Sequence, residues 1–326
     1  MRVAIVGAGA VGSTIAALLS RGGHDVTVTA RGEQLHTILD RGLELTGVWG
    51  DYTARVSATD ILNRSPELAF VTTKAQDAEA ALRQNARFLD GVPVVVVQNG
   101  LDALTVAQRI LPGADVVGGL ALYAASYLSP GAVAVTTDGV TCLGGSVSGA
   151  LYASRVLGAV MPVTLTDNFE GAQWTKLIVN HINALPAITG MSAQDVISDR
   201  ELRHIMTESM REAVRVGLAS GIEFEKVQGL SDRLLKLLVR LPVTAGQLIP
   251  LAMRSRMGAT PNPGSTLQSI RRGQATEIDF LNGAVVAAGE RVGVATPTER
   301  ALVAMVHEVE TKGRFLMPSE VVARLS

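Results

Sequence analysis

The most constraining feature of this chain lies at its start. Arg2–Val6 (RVAIV) is a short, β-branched apolar run that passes directly into Gly7-Ala8-Gly9-Ala10-Val11-Gly12. This G-x-G-x-x-G spacing closes a predicted strand and opens a helix predicted over 11–21. The first glycine permits a tight turn, the second lets backbone amides approach a pyrophosphate, and the third brings helix and strand close together. The helix start then offers unpaired N–H groups and a positive dipole end to an anion. Such glycines also occur in bare structural turns; here the strand before them and the helix after them point to a dinucleotide. Gly7, Ala8, Gly9, Ala10, Val11 and Gly12 are therefore candidate cofactor-binding residues.

The alternation continues. Strands are predicted at 26–29, 68–72 and 92–97, with helices at 33–41, 77–88 and 103–111. Strands apolar on both faces and separated by helices imply a parallel sheet covered on both sides. From 116 to about 165, short strands and glycine-rich turns predict an antiparallel or mixed edge. Beyond Asp167-Asn168 the spacing turns helical, with helices expected at 168–188, 199–221, 225–241, 264–272, 279–292 and 297–311. Ser192 and Asp199 read as caps, and 254–264 (RSRMGATPNPG) as a loop. The expected architecture is α/β: a Rossmann-type doubly wound domain over 1–167, then an all-α substrate and dimerisation domain over 168–326.

Composition narrows the partners. Of 326 residues, 47% are hydrophobic and 18% charged, enough apolar material for two cores. Residues 1–167 hold 11 Lys/Arg against 14 Asp/Glu, and 168–326 hold 18 against 16. Neither half has the basic excess that binding a phosphate backbone requires, so no nucleic-acid partner is expected. Cys142 is the single cysteine, and the five histidines lack metal-ligand spacing, so no disulfide or metal is expected. Residues 3–20 are uncharged, but three glycines interrupt them, arguing against a signal peptide or membrane span. A cytoplasmic protein with no membrane partner, and a homodimer through its amphipathic helices, is the expectation.

Two basic positions refine the cofactor and the chemistry. A site preferring NAD usually places a carboxylate near the end of the second strand. Here Thr27-Val28-Thr29-Ala30-Arg31 has none, and Arg31 supplies a planar cation suited to a 2′-phosphate, which favours NADP; a solvated surface arginine is the bland alternative. The first 225 residues carry 14 arginines and only two lysines, Lys74 and Lys176. Lys74 follows a predicted strand at the sheet's carboxyl edge, where α/β folds bind ligands. Lys176, Asn180 and Asn183 fall on one face of the helix expected over 168–188, amid apolar neighbours. That face is either a helix–helix hydrogen-bonding seam or the lining of a site where a lysine protonates an alkoxide formed by hydride addition. His181 points elsewhere and reads as structural.

Together, the glycine motif, Arg31-Gly32, Arg41-Gly42-Leu43, Thr73-Lys74, Gln98-Asn99-Gly100, the run Trp174 to Asn180, Ser265-Thr266-Leu267-Gln268 and the run Thr276 to Gly283 resemble the ketopantoate reductase (2-dehydropantoate 2-reductase) family. The resemblance covers most of the chain. It implies reduction of 2-dehydropantoate to pantoate with NADPH, in pantothenate and coenzyme A biosynthesis. It also implies that Lys176 is the general acid, that Asn180 and Ser265 bind substrate, and that Glu277 hydrogen-bonds the substrate's terminal hydroxyl. Asn99 would lie beside the nicotinamide ribose and substrate, with Lys74 nearby. By residue type alone, Glu277 and Ser265 also read as helix caps. Two departures touch the substrate side: Ala184 stands where the family has a second asparagine, with Asn183 beside it, and Ser269 stands where an acidic residue is common. Competing expectations are a reductase of another 2-oxo acid or an imine, and a dinucleotide sensor without chemistry.

Overall fold

A strand buried on both faces must find a partner on each edge, and β1 (Arg2–Val6) does so at the centre of a sheet. The computed structural model describes residues 1–258 and 261–325; residues 259 and 260, inside the expected 254–264 loop, and residue 326 lie outside the described residues. After β1 come α1 (Ala10–Arg21), β2 (Asp25–Thr29), α2 (Gly32–Arg41), β3 (Leu43–Gly47), β4 (Tyr52–Ala54), β5 (Ser57–Thr59), β6 (Leu68–Val71), α3 (Ala75–Leu89), β7 (Val94–Val97) and α4 (Ala103–Ile110). They are followed by β8 (Val116–Ala121), β9 (Ala124–Ser129), β10 (Ala132–Thr137), β11 (Thr141–Gly145), α5 (Val147–Gly158) and β12 (Val163–Leu165).

Eight strands form one sheet in the order β12-β11-β8-β7-β6-β1-β2-β5, parallel from β8 through β5; β11 pairs antiparallel with β8, giving the mixed edge. The chain leaves β1 towards β2 and β5, then returns to β6 on the other side. The carboxyl ends of β1 and β6 therefore flank the topological switch point, where such sheets bind ligands. Strand alternation divides the core in two: Val3 and Ile5 join Val28, Phe70 and Val95 on one face. Ala4 and Val6 join Val71, Val96 and Leu82 on the other.

The α/β class is as expected, but the sequence reading missed a layer. A second, four-stranded sheet, β4-β3-β10-β9, packs over α1. Helix α1 is thus enclosed between two sheets, which explains why Gly12 to Leu19 are all buried. One face of the main sheet is therefore not simply a helical layer. Helix α5, capped by the Ser146 side chain, was also missed.

The second compact unit begins at Glu170, the first ending at Phe169. Its elements are α6 (Phe169–Asn180), α7 (Ala184–Thr189), α8 (Ala193–Ser198), α9 (Arg200–Ala219), α10 (Asp232–Arg240), α11 (Val243–Gly246), α12 (Leu248–Arg254), α13 (Gly264–Arg271), α14 (Asn282–Val292), α15 (Pro297–Lys312) and α16 (Pro318–Ala323). Ser192 and Asp199 cap α8 and α9 as expected. The helix expected over 168–188 is interrupted. A 3₁₀ turn at His181–Asn183 separates α6 from α7. Pro186 gives the physical reason, because it has no N–H for the Ile182 carbonyl and its ring crowds that carbonyl. The helix expected from 225 begins only at Asp232, where the Ser231 side chain caps it, and 279–292 begins with a 3₁₀ turn, Ile278–Phe280.

Candidate functional site

In the first unit the candidate residues gather at the carboxyl edge of the main sheet. Gly7 adopts φ +105°, and a Cβ there would press on the Thr73 backbone; one on Gly12 would overlap the Gly7 carbonyl and Thr72 Oγ1. A Cβ on Gly9 would meet nothing within 4 Å. The crowded glycines hold the loop against the sheet and the open one faces free space, the arrangement a pyrophosphate needs. Gly9 caps α1 with backbone alone, so the amides at Ala10, Val11 and Gly12 occupy the first turn, where no helical carbonyl can take them. The residues fit a dinucleotide phosphate.

Several residues to which the sequence assigns no such role hold this loop. Thr29, at the end of β2, accepts from Gly7 N–H through Oγ1 (3.1 Å) and from Ala8 N–H through its carbonyl (3.0 Å). Thr72 Oγ1 donates to the Gly7 carbonyl (2.6 Å). Gln34 on α2 donates to the Ala8 carbonyl (2.8 Å) and accepts from Tyr127 Oη (3.0 Å) and Gly131 N–H (2.7 Å). Gln98 Nε2 donates to the Thr73 carbonyl (2.8 Å), joining the loop after β7 to the loop after β6. Lys74, which precedes α3, and Asn99, which follows Gln98, therefore sit on tethered neighbouring loops; both are partly exposed. Thr72 ends the strand expected over 68–72, and Gln98 directly follows the one expected over 92–97. Nothing local marks Gln34, whose partner Gly131 is 97 residues away. Arg31 lies just before α2, exposed, with Nη2 donating to Gln84 Oε1 (2.6 Å).

In the second unit, α6 is buried at Gln173, Trp174, Thr175, Leu177 and Ile178, and partly exposed at Lys176, Val179 and Asn180. Lys176 and Asn180 thus share the open face. Asn183, by contrast, belongs to the 3₁₀ turn, not to a continuous helix, and is buried with its side chain against Gly264. Ser265 is exposed in the first turn of α13, and Asn262 Oδ1, not Ser265, accepts from the Gly264 N–H. The cap alternative for Ser265 is not what this geometry shows. Ser269 is buried, its hydroxyl donating to the Ser265 carbonyl (3.3 Å). Glu277 is half-buried and does not cap the 3₁₀ turn after it, whereas Thr276 Oγ1 accepts from Ile278 N–H (3.3 Å).

Beneath this face lies a buried charge cluster. His181 Nδ1 is 2.7 Å from the Leu177 carbonyl and Nε2 is 2.9 Å from Glu299 Oε1, both side chains fully buried. Glu299 also accepts from Ser209 Oγ (2.9 Å) and Asn282 Nδ2 (2.7 Å). Glu212 accepts from the Thr298 and Glu299 N–H groups at the start of α15 (both 2.9 Å). Burial opposes charge on His181, but the Glu299 carboxylate and the Leu177 carbonyl outweigh it, and its pKa is raised. Burial likewise raises the Glu212 carboxyl against the pull of the helix-start amides. His181 is structural, as expected, in the sense that it ties α6 to α15. Among the described residues, no group of three or more His, Cys, Asp or Glu is placed to hold a metal, and no helix is long and apolar enough to cross a membrane.

Comparison with known proteins identifies the family. The model of ketopantoate reductase PanE/ApbA matches residues 3–147, and that of its C-terminal region matches 168–310. A 2-dehydropantoate 2-reductase of Archaeoglobus fulgidus is 30% identical over 316 residues, covering 95% of this chain and 98% of the relative. The crystal structure of a PanE/ApbA family ketopantoate reductase from Ralstonia eutropha superposes with a TM-score of 0.80 at 28% identity, covering 96% and 99% of the two chains. D-mandelate dehydrogenase, solved with NADH and anilino(oxo)acetate, has the same fold (TM-score 0.82, 22% identity, 96% and 99% coverage). With both of its parts matched, the chain belongs to the ketopantoate reductase family and is an oxidoreductase acting on CH–OH groups.

Proposed function

We propose that this enzyme reduces 2-dehydropantoate to pantoate with NADPH, the step that leads towards pantothenate and coenzyme A. The observation carrying the reading is the open face of α6, where Lys176 and Asn180 stay accessible among residues that are otherwise buried. A half-open lysine in an apolar setting is suited to hold and release a proton. The nicotinamide, when bound, supplies a hydride to the carbonyl carbon. The carbonyl π pair then moves to oxygen, and Lys176 Nζ gives that oxygen its proton. Asn180 orients the substrate, while Asn183, buried against Gly264, takes no direct part; Ser265 donates to the substrate carboxylate, and Glu277 accepts from its terminal hydroxyl. Asn99 and Lys74 serve the cofactor side, and Arg31 takes the 2′-phosphate by leaving Gln84 for a stronger, charged partner.

Ser269 favours a second reading. With a short hydroxyl turned back onto the Ser265 carbonyl in place of an acidic side chain, the pocket could suit a different 2-oxo acid. Loss of NADPH absorbance with 2-dehydropantoate, 2-oxoisovalerate and phenylglyoxylate separates the two. The first reading expects 2-dehydropantoate to be used at least about tenfold more efficiently than 2-oxoisovalerate, because an analogue without the hydroxyl forgoes a hydrogen bond to a carboxylate, roughly 1.5–3 kcal/mol. Preference for either other acid reassigns the substrate, and no turnover on any of them removes the 2-dehydropantoate assignment.

A further inference from the structure

Glu277 sits in a short segment whose two flanks are both tied to α15. On one side, Thr276 N–H donates to Glu310 Oε1 (2.7 Å). On the other, Asp279 Oδ1 lies 2.8 Å from His307 Nε2. The same imidazole closes the loop, its Nδ1 lying 2.7 Å from Glu310 Oε2. One ring therefore bridges two carboxylates, which hold the residue before Glu277 and the residue two beyond it. Between them Ile278 is fully buried and Thr276 nearly so, pinning the backbone on either side of a glutamate whose own side chain is only half-buried.

We propose that His307 is a positioning residue for substrate recognition: as an imidazolium it closes this clasp and sets the Glu277 carboxylate for the hydroxyl of a hydroxylated 2-oxo acid. The inference rests on the reading of Glu277 as the hydroxyl's partner. Its chemistry follows from the donors available. An ionised carboxylate only accepts hydrogen bonds, and a neutral imidazole has one N–H. Both ring nitrogens of His307 face carboxylate oxygens, so only the doubly protonated ring satisfies both. A neutral ring turns a lone pair towards one of them.

The charged groups facing His307, among the described residues, are Asp279 from the 3₁₀ turn and Glu310 from its own helix. Burial works against a charge here, but the hydrogen bonds and charges of Asp279 and Glu310 prevail and raise the His307 pKa. The sign follows: the clasp is closed at and below the ordinary imidazole value of 6.5 and opens as pH rises through the raised one. His307 is nearly half-exposed, with a side-chain exposure of 44%, so each contact is screened by solvent and the effect falls on alignment, not on folding.

Steady-state kinetics between pH 6 and 9 test this with wild type, His307→Gln, Asp279→Asn and Glu277→Ala. His307→Gln is expected to raise KM for 2-dehydropantoate about three- to tenfold at pH 6. The KM for NADPH, the Tm and the KM for 2-oxoisovalerate, which lacks the hydroxyl, stay near wild type. In wild type the KM for 2-dehydropantoate rises with pH, and in His307→Gln that rise is lost. Asp279→Asn, which weakens the clasp from the other side, shifts both quantities in the same direction. An unchanged KM and pH slope in both clasp variants overturns the proposal, as does an equal loss for both substrates. If Glu277→Ala leaves KM for 2-dehydropantoate unchanged, the reading of Glu277 fails and the clasp with it. If Glu277→Ala raises KM but the clasp variants do not, only the clasp fails.

Discussion

Replacing Glu299 by leucine should destabilise the second unit more than any surface change, and the structure shows why. The carboxylate is fully buried, pairs with His181 Nε2 at 2.9 Å, and accepts from Ser209 Oγ at 2.9 Å and Asn282 Nδ2 at 2.7 Å. Leucine keeps much of the volume and none of the acceptors. Each stranded donor costs about 1–3 kcal/mol, and relaxation keeps the total near the 3–5 kcal/mol typical of breaking a buried pair. For a unit of this size, at roughly 2–4 °C per kcal/mol, the expected fall in Tm is about 6–20 °C by differential scanning calorimetry. His181→Leu should cost a similar amount by removing the imidazole that pairs with the buried Glu299 carboxyl. The double variant His181→Leu/Glu299→Leu, which removes both charges, should be more stable than the sum of the two losses by at least about 1 kcal/mol. Linkage supplies a second check. Because the folded His181 pKa is raised, its contribution is present below 6.5 and fades as pH rises through the folded value, and this fade should vanish in either single variant. Additive losses, or an unaltered pH dependence, would falsify the claim that these two residues form one buried unit.

Other outcomes follow from the same geometry. Gly12→Ala must push a methyl into the Gly7 carbonyl, so about 1–3 kcal/mol of strain should lower Tm and weaken NADPH binding together. Gly9→Ala meets no protein atom, so Tm should hold while fluorescence titration shows weaker NADPH binding; unchanged affinity would mean that no phosphate lies there. Arg31→Ala should raise KM for NADPH by roughly tenfold or more and leave NADH alone, since one charge-assisted contact contributes about 1.5–3 kcal/mol; equal losses would remove Arg31 from 2′-phosphate recognition. Lys176→Ala should cut kcat by about 10²–10⁴ with NADPH affinity intact. Lys176→Arg should also be poor, because guanidinium keeps its proton, and an active arginine variant would reassign Lys176 to charge stabilisation.

What the sequence disclosed depended on how far apart the interacting residues lie. Strand β1, the glycine loop and α1 were legible because their physics is local: a β-branched run, three glycines in register and a helical repeat. The open face of α6 was legible too, through Lys176 and Asn180 at one helical turn. The second sheet was not. Its strands β3 and β10 pair across some 88 positions, Glu44 with Ala132, and each is too short to stand out alone. The break at His181–Asn183 had a local cause in Pro186, but apolar spacing on either side of the proline concealed it. Partners of a buried charge are the hardest to foresee. Nothing near Glu299 in the chain announces Ser209, 90 residues earlier, and nothing near His307 announces Asp279.

The glycine loop also has a history in time. Its first supports, Thr29 and Thr72, exist once the chain has reached β6. Gln34, although made early, has nothing to brace against until Tyr127 and Gly131 emerge. On a ribosome adding roughly 5–20 residues each second, several seconds separate the synthesis of the loop from the arrival of the β9–β10 hairpin. Closing that span also carries the entropy of a long excursion, which slows the step. The glycine loop, made well before its brace, is thus among the last parts of its unit to become rigid. A nascent chain that has not yet reached β10 carries the whole glycine signature with the Ala8 carbonyl still untethered to the second sheet.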